Sequence, residues 1–309
     1  MCPNNDINHQ KKILSSHDLE FAPEPNRNVV YKALRNIKQK IFPFKDLKSG
    51  INLPYKKIDL IFWRPEKASW VNFGDELSQA VVSLMLSKHG CTLDDEVNNS
   101  RRLLAIGSIL HYANDGDVIW GSGVNGHRYE SSHKFSNLDV RSVRGPYTQE
   151  FLERRGIKVP NVYGDPGLLI SKLVNNRFAL KLDGPISVIS HYSNKYPLKS
   201  KIPVSHLDPR RSWNSVVSEI VNSSFVISSS LHGLVVADSF GIPSRLLLNL
   251  GTEGIMKYRD YYEGTGRPNF QGASSIDEAI EMGGELPPVF DQEKLLNSFP
   301  YDLWGIKRL

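Results

Sequence analysis

The sequence predicts an α/β protein with two parallel β-sheets, and three observations support this prediction. Short apolar runs of strand type alternate with helical patterns, as in βαβ units. The alternation occurs in two series, which the polar stretch 175–184 separates. The length of 309 residues fits two domains of roughly 150 residues each. We therefore expect two Rossmann-like domains that face each other across a cleft.

The first series of elements begins at Lys57. Its predicted strands are Ile58–Trp63, Leu103–Ile106, Val118–Trp120 and Val140–Val143. A helix from Gly74 to about Lys88 is predicted because apolar residues recur along one side of this segment. A second helix begins near Pro146 and ends before Gly156, since proline favours the first helical turn and glycine the position just past the end.

The second series repeats this pattern from residue 186 onward. Its predicted strands are Ile186–Ser190, Phe225–Ser228 and Arg245–Leu250, and its predicted helices are Trp213–Asn222 and Leu231–Phe240. A last helix near Asp291–Ser298 is expected to cap one of the domains. The predicted divisions are a leader with a basic helix (1–50), an N-terminal domain (51–178) and a C-terminal domain (179–309).

Composition excludes several classes of protein. Apolar residues at 40% and charged residues at 23% are ordinary for a soluble globular chain and argue against a collagen-like, mucin-like or wholly disordered one. No run of about 18 apolar residues predicts a transmembrane helix. Met1–Glu20 lacks the apolar core of a secretory signal, and Cys2 and Cys91 are too few for a disulfide framework. We therefore expect a cytoplasmic location.

The basic charge of the chain is concentrated near its N-terminus. Residues 29–50 carry six basic residues and one acid, whereas the whole chain has a net charge of +5. Apolar residues recur here at helical spacing and predict a basic amphipathic helix: Val30, Leu34, Ile37 and Ile41. Such a helix either lies on an anionic membrane or, more commonly, packs on its own domain. Residues 29–48 are thus a candidate for peripheral contact with the inner membrane face, and no nucleic-acid partner is expected.

The turn Ser228–Gly233 joins a predicted strand to a helix and is the strongest candidate site. Ligands of parallel sheets bind outside the carboxyl ends of the strands. Small residues in this turn allow an anion to reach the backbone amides that open the helix: Ser229, Ser230, Leu231 and Gly233. His232 is expected to project toward that anion. The alternatives are that the serines form an N-cap and that His232 makes a structural hydrogen bond.

Other candidate residues also follow predicted strands. Gly74 allows close approach at the start of the first long helix, where Asp75 can accept hydrogen bonds from a polyol or act as a base. Acids are also favoured in a first helical turn, and on local grounds this structural interpretation is preferred. Gly121, Ser122 and Asp165 lie in turns after short strands, where a structural role is as common as a functional one.

Several cations near predicted loops suit phosphate or carboxylate groups: Arg141, Arg144, Arg245, Lys257, Arg259 and Arg267. The sequence has no CxxC, HExxH, Walker or GxSxG motif. We therefore expect neither a metal site nor an organic cofactor.

Taken in order, these residues resemble the polysaccharide pyruvyltransferase family. The matching pieces are NFGDEL at Asn72–Leu77, GSGV at Gly121–Val124, RSVRGPYT at Arg141–Thr148, YGDPG at Tyr163–Gly167 and SSSLHGLVVADSFGIPSRLL at Ser228–Leu247. One departure is Val71, which stands where the family often has glycine. The resemblance implies transfer of pyruvate from phosphoenolpyruvate to two hydroxyls of a sugar, which forms a cyclic ketal. It also implies a fold similar to the two-domain glycosyltransferase type called GT-B.

Under this resemblance the N-terminal domain holds the glycan acceptor and the C-terminal domain holds phosphoenolpyruvate. The expected catalytic residues are His232, as proton donor or relay, and Asp75. The expected donor-binding residues are Ser229, Ser230, Leu231, Gly233, Arg144, Arg245, Lys257 and Arg259. The expected acceptor-binding residues are Asn72, Gly74, Gly121, Ser122 and Asp165. The setting would be the biosynthesis of an exopolysaccharide or capsule.

Two other functions fit the same pattern. A GT-B glycosyltransferase also holds its nucleotide-sugar donor against a helix start in the C-terminal domain. No pair of glutamates flanks that helix here, and Asp238 is the only acid within it. A non-catalytic carbohydrate-binding protein derived from such an enzyme is the third alternative, against which the presence of His232 argues modestly.

Overall fold

The computed structural model describes residues 54–65, 69–181, 183–193, 198–248 and 254–306. The predicted leader 1–50 and its basic helix lie outside the described residues. Within the described part, no helix is both long enough and apolar enough to cross a membrane.

Two parallel sheets confirm the predicted α/β class. The first contains β1 (Asp59–Ile61), β2 (Arg102–Leu104), β3 (Val118–Trp120) and β4 (Asp139–Ser142), in the order β1-β2-β3-β4. The second contains β5 (Ile186–Ile189), β6 (Ser205–Leu207), β7 (Phe225–Ser228), β8 (Ser244–Leu247) and β9 (Gly272–Ala273), in the order β6-β5-β7-β8-β9. Every pairing between these strands is parallel.

Helices connect and cover these strands. The α-helices are α1 (Phe73–Ser87), α2 (Pro146–Arg154), α3 (Ile170–Leu173), α4 (Trp213–Val221), α5 (Leu231–Ser239), α6 (Met256–Gly264), α7 (Ile276–Met282) and α8 (Gln292–Asn297). Short 3₁₀ turns occur at Leu110–Tyr112, Glu130–Ser132, Pro166–Leu169 and Tyr301–Trp304.

The start of α1 is defined by its own side chains. The Asn72 side chain accepts a hydrogen bond from the Gly74 amide at 3.3 Å, which satisfies one of the free donors of the first turn. Asp75 and Glu76 follow in that turn, where acids are favoured. The Glu76 carboxylate also accepts from the Trp213 amide at 3.1 Å and so caps α4 of the other half of the chain.

One apolar core is shared by both sheets. It contains Leu77 of α1 and Trp120 of the first sheet together with Val226 of the second sheet and Val217 of α4, all fully buried. Because α1 and α4 both contribute to this core, the two sheets are joined by a common apolar contact rather than by chain connections alone.

The end of the chain packs on the first sheet. The Trp120 indole donates hydrogen bonds to the Ser298 hydroxyl at 3.0 Å and to the Leu295 carbonyl at 3.2 Å. The Tyr301 hydroxyl donates to the Met85 carbonyl of α1 at 3.2 Å. The helix expected to cap a domain is therefore α8, and it lies against the N-terminal half although it follows the second sheet in sequence. The domain boundary at residue 178 stays a prediction.

Several short elements, most of them in the second half, are absent from the sequence-based description. These are β6, β9, α3, α6 and α7. The apolar residues of α6 are mostly tyrosines and one methionine among charged side chains, so its helical period is weak in the sequence. This omission matters because α6 carries Lys257.

Candidate functional site

The candidate site lies where the N-terminal ends of α1 and α5 meet, beside the carboxyl ends of strands from both sheets. A Cβ atom at Gly74 would lie 2.3 Å from Nδ1 of His232, so only glycine leaves room for this imidazole. Gly74 therefore makes space for His232 rather than for a ligand. The contact joins the two motifs that the sequence analysis ranked highest.

His232 has a carboxylate on its other side. Its Nε2 atom lies 3.7 Å from Oδ2 of Asp165, and neither atom has a hydrogen-bond partner among the described residues. The other oxygen of Asp165 accepts from the Gly167 amide at 2.9 Å, which holds the carboxylate in place. Asp165 is fully buried and faces His232, and its expected role among the acceptor-binding residues stays a prediction.

Asp75 is a buried carboxylate next to this histidine. The Asn72 amide donates to Oδ2 of Asp75 at 2.6 Å, so Asn72 positions Asp75 rather than standing free for an acceptor. Burial raises the pKa of Asp75 to about 6, although the positive charges of His232 and Lys257 act in the opposite direction. A carboxyl group with this pKa can accept or release a proton near neutral pH.

Lys257 of α6 faces the same space. Burial lowers the pKa of its amine to about 7, and the positive charge of Arg144 acts in the same direction, while Asp75 opposes both. Part of the side chain remains accessible. Lys257 therefore offers the cleft a cation whose charge an incoming anion would stabilise.

The turn before α5 is held by its serines. The Ser228 hydroxyl accepts from the Ser230 amide at 3.0 Å, and the Ser229 hydroxyl accepts from the His191 amide at 3.0 Å. Ser230 occupies the N-cap position without a side-chain cap hydrogen bond, so the alternative that the serines cap α5 is not observed. The Ser230 side chain therefore does not occupy the first amides of α5, and the start of a helix favours an anion.

Gly233 in this turn has a packing role. A Cβ atom at this position would lie 2.3 Å from the Ser228 hydroxyl oxygen. The Tyr258 hydroxyl donates to the Ser229 carbonyl at 2.7 Å, which ties the turn to α6. The glycine and the serines therefore shape the helix start, and its amides are the groups that can meet an anion.

Arg144 is fully buried. Its guanidinium donates to Asp260 of α6 at 2.9 Å, to the Ser108 hydroxyl at 2.6 Å and to the Val124 carbonyl at 3.0 Å. Thr148 also donates to Asp260, at 2.6 Å. Contrary to the expectation of direct donor binding, Arg144 anchors the helix that carries Lys257.

Two other expected donor-binding cations lie outside the cluster. Arg245 donates to the Gly283 carbonyl at 2.6 Å and pairs with Glu285, and the residue is only 5% exposed. Arg259 lies beside Tyr147, two residues from Lys257 and thus on a different side of α6. Both side chains are used in local packing, which sequence position alone does not reveal.

The glycine loop after β3 is structural. The Ser122 hydroxyl donates to the Gly107 carbonyl at 2.9 Å, and Gly121 adopts a φ of +82° with Pro166 packed against it. Residues 121–126 match the spacing GxGxxG, but no helix begins there, since the next element is the 3₁₀ turn Glu130–Ser132. A dinucleotide fingerprint needs a helix start at that place.

His191, which follows β5, is a site residue that the sequence analysis omits. Burial lowers its pKa to about 4, so the ring is neutral at pH 7, and the charge of Asp75 is close enough to act on it in the opposite direction. A polar residue directly after a predicted buried strand was the signal that could have identified it. Together, His191, His232, Asp75 and Lys257 form a cluster that can transfer protons and hold an anion.

The chain is similar to known proteins at the level of family. A family model described as polysaccharide pyruvyl transferase matches residues 23–250. The chain is 26% identical over 204 residues to an uncharacterized protein of Acanthamoeba polyphaga mimivirus, a match that covers 62% of this chain and 70% of that protein. It is 24% identical over 227 residues to the succinoglycan biosynthesis protein ExoV of Rhizobium meliloti (strain 1021), which covers 70% of this chain and 69% of ExoV.

Among solved structures, the chain is similar to a functionally uncharacterized protein of Klebsiella pneumoniae subsp. pneumoniae. That similarity has a TM-score of 0.45 at 10% identity and covers 82% of this chain and 100% of the other.

Proposed function

Because the chain belongs to the polysaccharide pyruvyl transferase family, we propose that it transfers pyruvate from phosphoenolpyruvate to two hydroxyls of a sugar in a polysaccharide or its precursor. The product of this reaction is a cyclic ketal. The observation that carries the proposal is the meeting of Asp75, His232 and Lys257 at the N-terminal ends of two helices. The name of ExoV, a relative at 24% identity, supports a polysaccharide as the acceptor.

The donor carries a phosphate and a carboxylate, and both need positive partners. Lys257 and the uncapped amides at the start of α5 supply a cation and oriented donors on the same side of the cleft. We place phosphoenolpyruvate there, with Ser229, Ser230 and Gly233 shaping the turn. Arg144 contributes indirectly, because its pair with Asp260 holds α6.

The first chemical step needs a base and an acid. Asp75 would accept the proton of the first sugar hydroxyl as its oxygen attacks C2 of phosphoenolpyruvate. His232 would deliver a proton to C3, so that the methylene becomes a methyl group. Each positioned proton transfer of this kind typically accelerates a reaction by about 10²–10⁴-fold. Asp165 would hold the imidazole in place.

Ring closure completes the ketal. The second hydroxyl forms a bond to C2, the bond from C2 to the phosphate oxygen breaks, and phosphate leaves. The proton of the second hydroxyl passes to phosphate or to solvent, so the whole reaction releases inorganic phosphate and consumes no redox equivalent.

We further propose that the two sheets belong to two Rossmann-like domains in a GT-B-like arrangement, divided near residue 178, with the acceptor on the first and the donor on the second. The basic segment 29–48, which lies outside the described residues, is proposed to hold the enzyme at an anionic membrane on the cytoplasmic side, where lipid-linked glycan precursors would be available.

The test compares donors directly. Phosphoenolpyruvate should raise the melting temperature of the protein, and incubation with a panel of galactosides, glucosides and N-acetylmannosaminides should release phosphate and add pyruvate to one acceptor. UDP and GDP serve as the matched anionic controls. Stabilisation by a nucleoside diphosphate with no effect of phosphoenolpyruvate would favour the glycosyltransferase alternative instead.

A further inference from the structure

Three aromatic rings lie together at the carboxyl ends of strands from both sheets. Trp63 follows β1, Trp70 precedes α1 and Tyr192 follows β5. The ring centroids of Trp63 and Tyr192 are 5.1 Å apart in a stacked arrangement, and those of Trp70 and Tyr192 are 5.7 Å apart. Trp63 and Trp70 are 6.0 Å apart. We call these three rings the aromatic platform.

The aromatic platform is separate from the apolar cores of the described part of the chain. The four core clusters and the side chains packed against them consist of other residues. Each of the three rings is only partly buried. Partly exposed aromatic surface in a cleft is typical of ligand sites, because aromatic rings offer large contact areas in fixed positions.

Both halves of the chain hold this platform beside the proposed reaction centre. The imidazole of His191 lies 4.2 Å from the Tyr192 ring, and the His191 amide donates to the Ser229 hydroxyl of the donor turn. On the other side, the Phe73 amide donates to the Pro209 carbonyl at 3.0 Å and so fixes the segment after Trp70. The Asn72 amide, two residues after Trp70, donates to Asp75 at 2.6 Å and so holds this carboxylate near the platform. Burial and the negative charge of Asp75 raise the pKa of Tyr192.

We propose that the aromatic platform binds a pyranose ring of the glycan acceptor, with the C–H face of the sugar on the aromatic rings and its hydroxyl edge toward Asp75. A pyranose ring has an apolar face of C–H groups and a polar rim of hydroxyls. The faces of aromatic rings carry partial negative charge and attract the slightly positive C–H hydrogens, while contact also removes apolar area from water. A buried carboxylate beside the platform accepts hydrogen bonds from hydroxyls.

This assignment rests on the proposed glycan acceptor and deepens it by placing the sugar. A nucleobase would also stack on such rings. The pyranose is favoured because the negative charge of Asp75 acts on Tyr192 more strongly than the positive charge of Arg128, and this carboxylate would repel the phosphates that accompany a nucleobase.

The first measurement is glycan binding without phosphoenolpyruvate. Methyl glycosides and β-linked disaccharides of glucose, galactose and N-acetylmannosamine would be titrated while tryptophan fluorescence is recorded, with UDP and AMP as nucleobase probes. We expect one class of sugar to change the emission. Trp63→Ala, Trp70→Ala and Tyr192→Ala should each lower the affinity for that sugar by about tenfold or more, because central aromatic residues contribute strongly to binding.

The matched control is Phe62→Ala. Phe62 is adjacent to Trp63 in sequence but packs under the guanidinium of Arg64, at 4.3 Å, outside the platform. Its loss should leave sugar affinity within about twofold, as expected for a residue outside the binding surface. Trp63→Phe, which keeps a ring, should retain most of the affinity. Should an alanine variant fail to fold, Trp63→Leu keeps the bulk without the ring and should still lose affinity.

Kinetics separate this inference from the proposed reaction. In an active enzyme the three alanine variants should raise KM for the acceptor by about tenfold and leave KM for phosphoenolpyruvate unchanged. Sugar binding through the platform without any pyruvyl transfer would contradict the proposed function and support the platform. Transfer with unaltered acceptor KM in the variants, no fluorescence response to any sugar, or a response to the nucleobase probes alone would overturn the platform.

Discussion

His232 owes its position to two neighbours that are far from it in sequence. Gly74 has no side chain, so the imidazole can lie against the start of α1, and Asp165 faces Nε2 at 3.7 Å. Catalytic hydrogen bonds are often long before substrate is bound, so a small movement would close this pair. The histidine thus lies between the start of α1 on one side and a buried carboxylate on the other.

His232→Asn is expected to leave the fold intact and to lower kcat by about 10²–10⁴-fold, because a positioned proton donor is lost. The measurement is pyruvyl transfer at saturating substrates, with circular dichroism as the check of folding. Asp165→Asn should lower kcat less and leave KM for both substrates near normal, since Asp165 acts only through His232. Near-normal turnover of His232→Asn would assign this residue a structural role.

The pH dependence of kcat/KM should reflect Asp75 and Lys257. Asp75 must be deprotonated to accept a proton, so activity should rise as pH increases through about 6. Lys257 must be protonated to hold the donor, so activity should fall as pH increases through about 7. The pH profile of kcat/KM is therefore expected to be a narrow bell-shaped curve. Lys257→Arg should extend activity to higher pH, because the arginine charge does not titrate in this range. An unchanged alkaline limb in that variant would contradict the assignment.

Asp75→Asn gives the matching test of stability. The folded pKa of Asp75 lies near 6, above its ordinary value of 3.8, so burial favours the protonated form. The stability that this group contributes is present below about pH 4 and is lost as pH rises through 6. Asp75→Asn should therefore raise the melting temperature relative to wild type at pH 8 more than at pH 4. Equal shifts of the melting temperature at pH 4 and pH 8 would indicate that the carboxyl group is not desolvated.

At the scale of the elements, the motif RSVRGPYT at Arg141–Thr148 acts as a docking site for α6. Arg144 and Thr148 bind Asp260, and a Cβ atom at Gly145 would lie 1.7 Å from the Asp260 carbonyl oxygen. The glycine thus allows two backbones to approach closely. This packing presents Lys257 to the cleft.

Arg144→Ala should destabilise the protein by about 3–5 kcal/mol, because it leaves Asp260 buried and unpaired. The measurement is the free energy of unfolding in urea. Arg141→Ala is the matched control from the same motif, since Arg141 pairs with Asp139 and the half-exposed Asp302 near the surface. Its effect should stay within about 1 kcal/mol. Comparable losses in the two variants would contradict the docking role of Arg144.

The predicted elements agree with the structure where local signals are strong. The helix predicted from Gly74 to Lys88 is observed at Phe73–Ser87, and the helix predicted from Pro146 ends at Arg154. Their caps, first-turn residues and apolar spacing are all local. By contrast, β9 has two residues, and α6 lacks a clear apolar period, so both gain their structure from packing rather than from their own sequences.

At the scale of the whole molecule, the two sheets are linked by several contacts. The shared core, the Glu76 cap on α4 and the return of α8 to Trp120 all join the two halves. An interface that is large and apolar limits relative movement of the parts it joins. We therefore expect the two halves to move little relative to each other.

The basic segment 29–48 supports a prediction for the full chain. Each base near an anionic surface contributes about 1 kcal/mol, and salt screens this attraction within a Debye length. The protein should co-sediment with phosphatidylserine-containing vesicles at low salt and dissociate from them at high salt. It should not bind purely zwitterionic vesicles. Replacing Lys32, Arg35, Lys38 and Lys40 with glutamine should abolish binding and spare activity on a soluble acceptor. Vesicle binding that persists in this variant would place the membrane contact elsewhere.

The sequence by itself determined the α/β class, the alternation of strands and helices, and the family, because apolar period, capping residues and motif order are all local along the chain. Only the tertiary structure decided what each motif does. Arg144 is buried and paired with Asp260 of α6, Asp165 faces His232, and Arg245 pairs with Glu285. These roles depend on partners distant in sequence, as for Arg144 and Asp260, which are 116 positions apart. Burial and pairing of a charge are set by such contacts, and no pattern of neighbouring residues reports them.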